Sequence, residues 1–177
     1  MMHRIGFSLG AAALFVAHAY AGTSITSATP VRIDGAGPLN VGMTIAEVEK
    51  AAGARVTIHN NQEPQGACVI AGLVGAPNEF SFMLIKGTIA RFDIYDGVMK
   101  TAEGAGIGST EAEVKRLYAN EKIEVERHEY VDGGHYLNIT VASAPPGFKF
   151  VFETDGRKVT AFRAGRMPEV DWIEGCA

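Results

Sequence analysis

Apolar and polar positions change period twice along this chain, in the same order each time. Ile45, Val48, Ala51 and Ala52 recur at helical spacing, as do Val114, Leu117 and Tyr118. Each helical pattern opens on a Thr-x-x-Glu box, Thr44 with Glu47 and Thr110 with Glu113. In such a box the hydroxyl accepts from an orphan amide while the carboxylate reaches back to the cap residue's own amide. The first helix is predicted to run to about Ala52 and to stop at Gly53. Both helices are short, so they depend on packing against a sheet. Alternation follows each: Val56 and Ile58, a polar turn over 60–66 and a strand over 67–73; then Ile123 and Val125, the turn Asp132-Gly133-Gly134, and Leu137, Ile139 and Val141. A second hairpin closes each stretch, 79–85 with 88–95 across Lys86-Gly87, and 148–153 with 158–163 across Thr154-Asp155-Gly156-Arg157.

Residues recur as well as periods. Val41-Gly42-Met43-Thr44-Ile45-Ala46-Glu47-Val48-Glu49-Lys50 returns as Ile107-Gly108-Ser109-Thr110-Glu111-Ala112-Glu113-Val114-Lys115-Arg116. Gln65-Gly66-Ala67-Cys68-Val69-Ile70 aligns with Gly133-Gly134-His135-Tyr136-Leu137-Asn138, and Phe80-Ser81-Phe82 with Phe148-Lys149-Phe150. The period, roughly 66 to 70 residues, is longer than the short repeats of open solenoids. The fold expected is α+β: two tandem repeats, 31–97 and 98–166, each a short helical segment followed by a four-stranded antiparallel sheet, packed as one body.

Alternation also assigns faces. Phe80, Phe82 and Leu84 share one side of their strand, as do Phe148, Phe150 and Phe152, and these rows are expected to face the helices. The opposite side then carries Met83, Arg91, Asp93, Tyr95, Tyr136, Asn138 and Arg163. Arg, Tyr and Met are enriched at protein contacts, so this outer face is read as partner-binding, against the plainer reading of a solvated sheet face.

Compartment narrows the function. His3 and Arg4 precede an apolar stretch over 5–16 and the small-residue site Ala19-Tyr20-Ala21, the pattern of a cleaved secretory signal over 1–21. No cysteine follows that site, which argues against a lipid anchor, and no later segment is apolar enough to span a bilayer as a helix. Residues 22–30, rich in small and polar types, read as a flexible leader. About 156 residues would remain, with the formal charge of -4 becoming about -5 and no basic block. No nucleic-acid partner and no membrane insertion of the mature chain are expected; the oligomeric state is open. Cys68 and Cys176 in an exported chain are expected as a disulfide closing a loop of about 108 residues and pinning a C-terminal tail over 167–177. Two free thiols or an intermolecular bridge are the alternatives. Since Cys68 aligns with the outward Tyr136, the bridge would draw Trp172 across the outer face or its edge, either lining the partner surface or protecting an edge strand.

A paired unit that opens on a Gly-Met-Thr-x-x-Glu-Val-type helix and continues into a four-stranded antiparallel sheet resembles the β-lactamase-inhibitor-like group of exported proteins, which includes the SmpA/OmlA (BamE) envelope proteins. The resemblance covers roughly 31–166. It implies a tandem α/β body whose sheets form a continuous, concave, partner-binding face.

No strong catalytic pattern competes. His128, Glu129, Asp132 and His135 cluster across one hairpin turn, but alternation separates His128 from Glu129 and the spacing matches no strong zinc pattern. No nucleophile elbow or phosphate loop occurs, and no cofactor and no metal are expected. The leading expectation is an exported, non-enzymatic module that binds an envelope or secreted protein, one form being an inhibitor of a secreted or periplasmic hydrolase. Its partner-binding residues are Met83, Arg91, Asp93, Tyr95, Tyr136, Asn138, Arg163 and Trp172. A structural envelope-assembly protein is the second reading, and an enzyme or metal-binding protein using His128, Asp132 and His135 the third.

Overall fold

Both helices begin at the capping boxes. In the computed structural model, which describes residues 25–59 and 67–176, α1 spans Ile45–Ala52 and α2 spans Glu111–Leu117. Thr44 N donates to Glu47 Oε2 at 2.8 Å while the Thr44 hydroxyl accepts from the Glu47 amide. Thr110 N donates to Glu113 Oε2 at 2.7 Å in the same reciprocal arrangement. Gly53, at φ +63, ends α1 in the left-handed conformation.

Eleven strands are found among the described residues. Three short ones, β1 (Val31–Arg32), β2 (Gly35–Ala36) and β3 (Leu39–Asn40), form a small antiparallel sheet. The other eight are β4 (Val56–Ile58), β5 (Cys68–Leu73), β6 (Phe80–Ile85), β7 (Thr88–Ile94), β8 (Lys122–Arg127), β9 (His135–Thr140), β10 (Phe148–Thr154) and β11 (Val159–Arg166). They form a single antiparallel sheet in the order β4-β5-β6-β7-β11-β10-β9-β8.

This arrangement corrects the expected fold class. The molecule is mostly β, with two helices of 8 and 7 residues, and its strands do not divide into two helix-plus-four-strand units with separate sheets. The cause is the β7–β11 seam, where Phe162 pairs with Ile94, Arg163 with Asp93, Ala164 with Phe92 and Gly165 with Arg91. Pairing these strands removes two edges that would otherwise present unsatisfied amides and carbonyls. The three-stranded sheet was not anticipated at all.

The leader is also better ordered than its composition suggests. Ile25 is buried in the core, and Ser27 Oγ donates to Glu79 Oε1 at 3.2 Å. The signal segment 1–21, residues 22–24, the turn over 60–66 and Ala177 lie outside the described residues.

One face of the large sheet carries the main core. Phe80, Phe82, Leu84, Phe92, Leu137, Ile139, Phe150, Phe152 and Phe162 are buried there with Val48 and Ala52 of α1, Val114 of α2, and Val31, Ala36 and Leu39 of the small sheet. Gly42 and Gly108, at φ +93 and +83, turn the chain from strand contact into helix. Gly42 N donates to Ile89 O at 2.8 Å and Gly108 N to Val159 O at 2.9 Å, so each helix start is stitched to a strand beneath it. Tyr118 then fills the space against Phe150 and Phe152. Its hydroxyl donates to Glu103 Oε2 at 2.7 Å, and burial pushes its ionisation far above the usual range.

Candidate functional site

The opposite face of the sheet is covered by the chain's own C-terminal segment. After β11 a short 3-10 turn, Glu169–Asp171, crosses the seam, and Cys176 closes a disulfide with Cys68 at the start of β5, the two Cα atoms 5.4 Å apart. Val170 is fully buried against Tyr136 and Val151, a second and smaller apolar cluster on this face.

Alternation along β7 and β11 puts Arg91, Asp93 and Arg163 side by side under the tail, because Arg163 is in register with Asp93. Arg91 Nε lies 3.0 Å from Asp93 Oδ1. Its Nη1 donates to the backbone carbonyls of Glu169 at 2.8 Å and Trp172 at 2.6 Å. Arg163 Nε donates to the Val170 carbonyl at 2.6 Å, while its Nη1 is paired with Glu153. Lys149 Nζ sits 2.5 Å from Asp171, and Arg166 Nε 3.3 Å from Glu169. Arg91 and Asp93 are each 1% exposed. Burial pushes the Asp93 carboxyl above its usual range, and the charges of Arg91 and Arg163 oppose that push. Gly165 lets β11 approach β7 closely at the seam, since a Cβ there would stand 2.5 Å from the Ala90 carbonyl oxygen and 2.6 Å from Arg91 Cα.

The expected partner-binding residues therefore divide. Met83, Arg91, Asp93, Tyr136, Asn138 and Arg163 stand on the expected outer face, but all six are buried, the arginines acting as anchors for the tail. They are not an open docking surface, because the tail takes the place that solvent or a partner was expected to have. Tyr95 is 58% exposed and Trp172 38%. Ile173 is 39% exposed, and the exposed Tyr130 has its hydroxyl bonded to Glu174 of the tail. Sequence reasoning missed the carbonyls of Glu169, Val170 and Trp172, which carry the tail's attachment and have no side-chain signature. The usable signal was the pair of arginines at positions that cross-strand register brings beside Asp93.

The histidine hairpin does not converge. His128 is buried on the tail side, stacked on Tyr136 at 4.4 Å, with Nε2 3.6 Å from Glu153 and Nδ1 accepting from the amides of Tyr130 and Val131. His135 faces the helices, its Nδ1 2.7 Å from Glu111 Oε1, which also accepts from Thr154. Burial raises the Glu111 pKa, but the bonds from Thr154, His135 and Lys115 outweigh it and the net shift is downward. Asp132 points to solvent, 3.7 Å from Arg127. Among the described residues no group of three or more His, Cys, Asp and Glu side chains could hold a metal ion. No described helix is long and apolar enough to cross a membrane.

No family model and no curated relative matches the chain. Among solved structures it is similar to the uncharacterized protein yfeY from Escherichia coli, at 15% sequence identity and a TM-score of 0.50, over 78% of this chain and 100% of that one. At that identity the likeness is one of fold.

Proposed function

We propose that this protein is an exported, non-enzymatic module that binds another protein in the periplasm or outside the cell, and that its contact surface is the strapped tail with the residues around it. The observation that carries this reading is the tail itself: a short segment held by one disulfide and two buried arginines leaves the chain's single tryptophan partly exposed, with Ile173 next to it in the chain. Exposed aromatic and aliphatic side chains on a rigid mount lose little entropy on binding, and Trp and Tyr are the types that most often carry interface energy. The disulfide fits an oxidising compartment, as does the signal pattern of residues 1–21. The resemblance to the β-lactamase-inhibitor-like group adds the expectation that the partner is a secreted or periplasmic hydrolase or an envelope protein.

The test is capture from envelope extract by the tagged, oxidised mature protein, with a Trp172→Ala/Ile173→Ser variant as control. A protein held by the wild type and lost by the variant is the expected result. Equal capture by both would remove the tail from the contact surface. An extract with no selective partner would overturn the binding reading and favour a structural envelope role.

A further inference from the structure

The tail leaves part of the outer face open. Between it and strands β8 to β10 lies a cleft of about 140 Å³, lined among others by Glu126, Asn138, Lys149, Val151, Asp171 and Ile173. Most of its charges are already matched. The Lys149 ammonium is 2.5 Å from Asp171, and Arg163 at the back is paired with Glu153 and bonded to the Val170 carbonyl. Two groups are left over. Asn138 is only 5% exposed, yet its side-chain amide has no hydrogen-bond partner among the described residues. Glu126, in register with Tyr136 two pairs along the same strands, has no ion-pair or hydrogen-bond partner among them either. The part of Asn138 that stays accessible opens on the cleft, so its amide is left to water or a ligand for its hydrogen bonds. The exposed Glu126 carboxylate lines the same cleft.

The geometry points to this cleft as a binding site for a primary alkylammonium group, held by the Glu126 carboxylate and the Asn138 amide oxygen. Charge selects the class. With both cations of the cleft satisfied, an incoming carboxylate gains no free partner and meets Glu126, whereas an ammonium supplies the one charge that is missing. Size narrows it further. At roughly 30 Å³ per water the cleft holds the volume of about five waters, well under the roughly 300 Å³ at which pockets for larger ligands begin. That is room for an ammonium head and a few methylenes, which Val151 and Ile173 are placed to cover. Two sources offer this chemistry: a free aliphatic diamine, or a lysine side chain of a protein.

The experiment is amide chemical-shift mapping on the full oxidised mature protein, titrated with 1,4-diaminobutane in one arm, the capped peptide acetyl-Gly-Lys-Gly-amide in another, and acetate as control. Saturable shifts at the Asn138 side-chain amide and along β8 and β9 are expected from an amine and not from acetate. Diamine binding without peptide binding identifies the free amine as ligand; peptide binding at least as tight identifies a protein lysine. Glu126→Gln, at an exposed edge-strand position, should weaken the interaction about tenfold or more while the fold stays intact. Asn138→Leu should abolish it, and thermal melting of that variant reports whether its fold survives. Trp172→Ala should leave amine binding unchanged, which separates this site from the tail surface. The inference fails if neither amine gives saturable shifts at about 10 mM, where a site with a Kd near 1 mM would be filled. It also fails if the shifts fall outside the cleft, or if Glu126→Gln binds as tightly as wild type.

Discussion

Replacing both Cys68 and Cys176 by serine removes a cross-link spanning a sequence separation of 108. For a loop of that size, closure entropy gives an upper figure of about 4.8 kcal/mol at 25 °C, and native bridges in secreted domains are usually worth about 2–5 kcal/mol. The tail does not depend on the bridge alone. Arg91 still holds the carbonyls of Glu169 and Trp172, Arg163 still holds that of Val170, and Val170 stays buried. The variant is therefore expected to fold with its tail docked and to lose about 3–5 kcal/mol, chiefly because the unfolded chain is freed. For a domain of this size that lowers Tm by roughly 10 °C. The assay is equilibrium urea unfolding at neutral pH, read by Trp172 fluorescence for the tail and far-ultraviolet circular dichroism for the sheet. Coincident transitions, a lower midpoint and a larger m-value are expected, since an unbridged unfolded chain exposes more surface. A loss under about 1 kcal/mol would refute the chain-entropy argument. Tryptophan signal lost well before the sheet melts would refute the role given to the arginine anchors.

Other perturbations test other parts of the same structure. Arg91→Met leaves Asp93 buried without its partner and two carbonyls unsatisfied, so a loss of about 3–5 kcal/mol in urea unfolding is expected, with Arg91→Met/Asp93→Leu recovering much of it. Gly165→Ala drives a Cβ into the β7 backbone and should cost about 1–3 kcal/mol, or split the seam altogether; a stable variant with unchanged amide exchange along β7 would contradict the close approach. Hydrogen bonds from the amides and hydroxyls of Thr44 and Thr110 lower the pKa values of Glu47 and Glu113, and the Lys158 and Arg157 amides lower that of Asp155. Their contribution is complete above the unfolded values and lost as pH falls through the folded ones, while Asp93, held upward by burial, contributes in the opposite sense. A urea midpoint that falls between pH 6 and pH 3.5, and falls less in a Thr44→Val/Thr110→Val variant, is the expected outcome; a pH-independent midpoint would contradict it.

The helices were legible because their instructions are local. Thr44 and Glu47 lie within one turn, as do Thr110 and Glu113, and no tertiary contact is needed to form either box. Sheet faces were legible for a similar reason: period-two alternation put Phe82 and Phe92 on one side and Met83 and Arg91 on the other, which the register reproduces. What joins β7 to β11 was not legible, because residues some 70 positions apart pair through backbone groups that every residue has. The small sheet was missed because two-residue strands carry no period to read. At the candidate site, Arg91 and Arg163 have the look of surface residues, and arginine is seldom fully buried unless paired. Their burial follows from the tail's path, and the cysteines gave the tail's end point without the carbonyls it would present on the way.

The polar seat under the tail bears on the proposed function. A tail resting only on apolar side chains could slide by a residue at little cost, since apolar contact is non-directional. Here Arg91 bonds carbonyls three residues apart, at Glu169 and Trp172, and Arg163 bonds the one between them at Val170. A one-residue slip would break these matched contacts, and an unmatched buried charge costs far more than a lost apolar contact. The register is thereby fixed at the residue whose side chain is on view, because the carbonyl bonded to Arg91 belongs to Trp172 itself. A buried ion pair contributes little net stability against a well-packed apolar alternative. Its value in this fold lies in where it holds Trp172, which makes Arg91 and Arg163 positioning residues for the side chain that Trp172 presents.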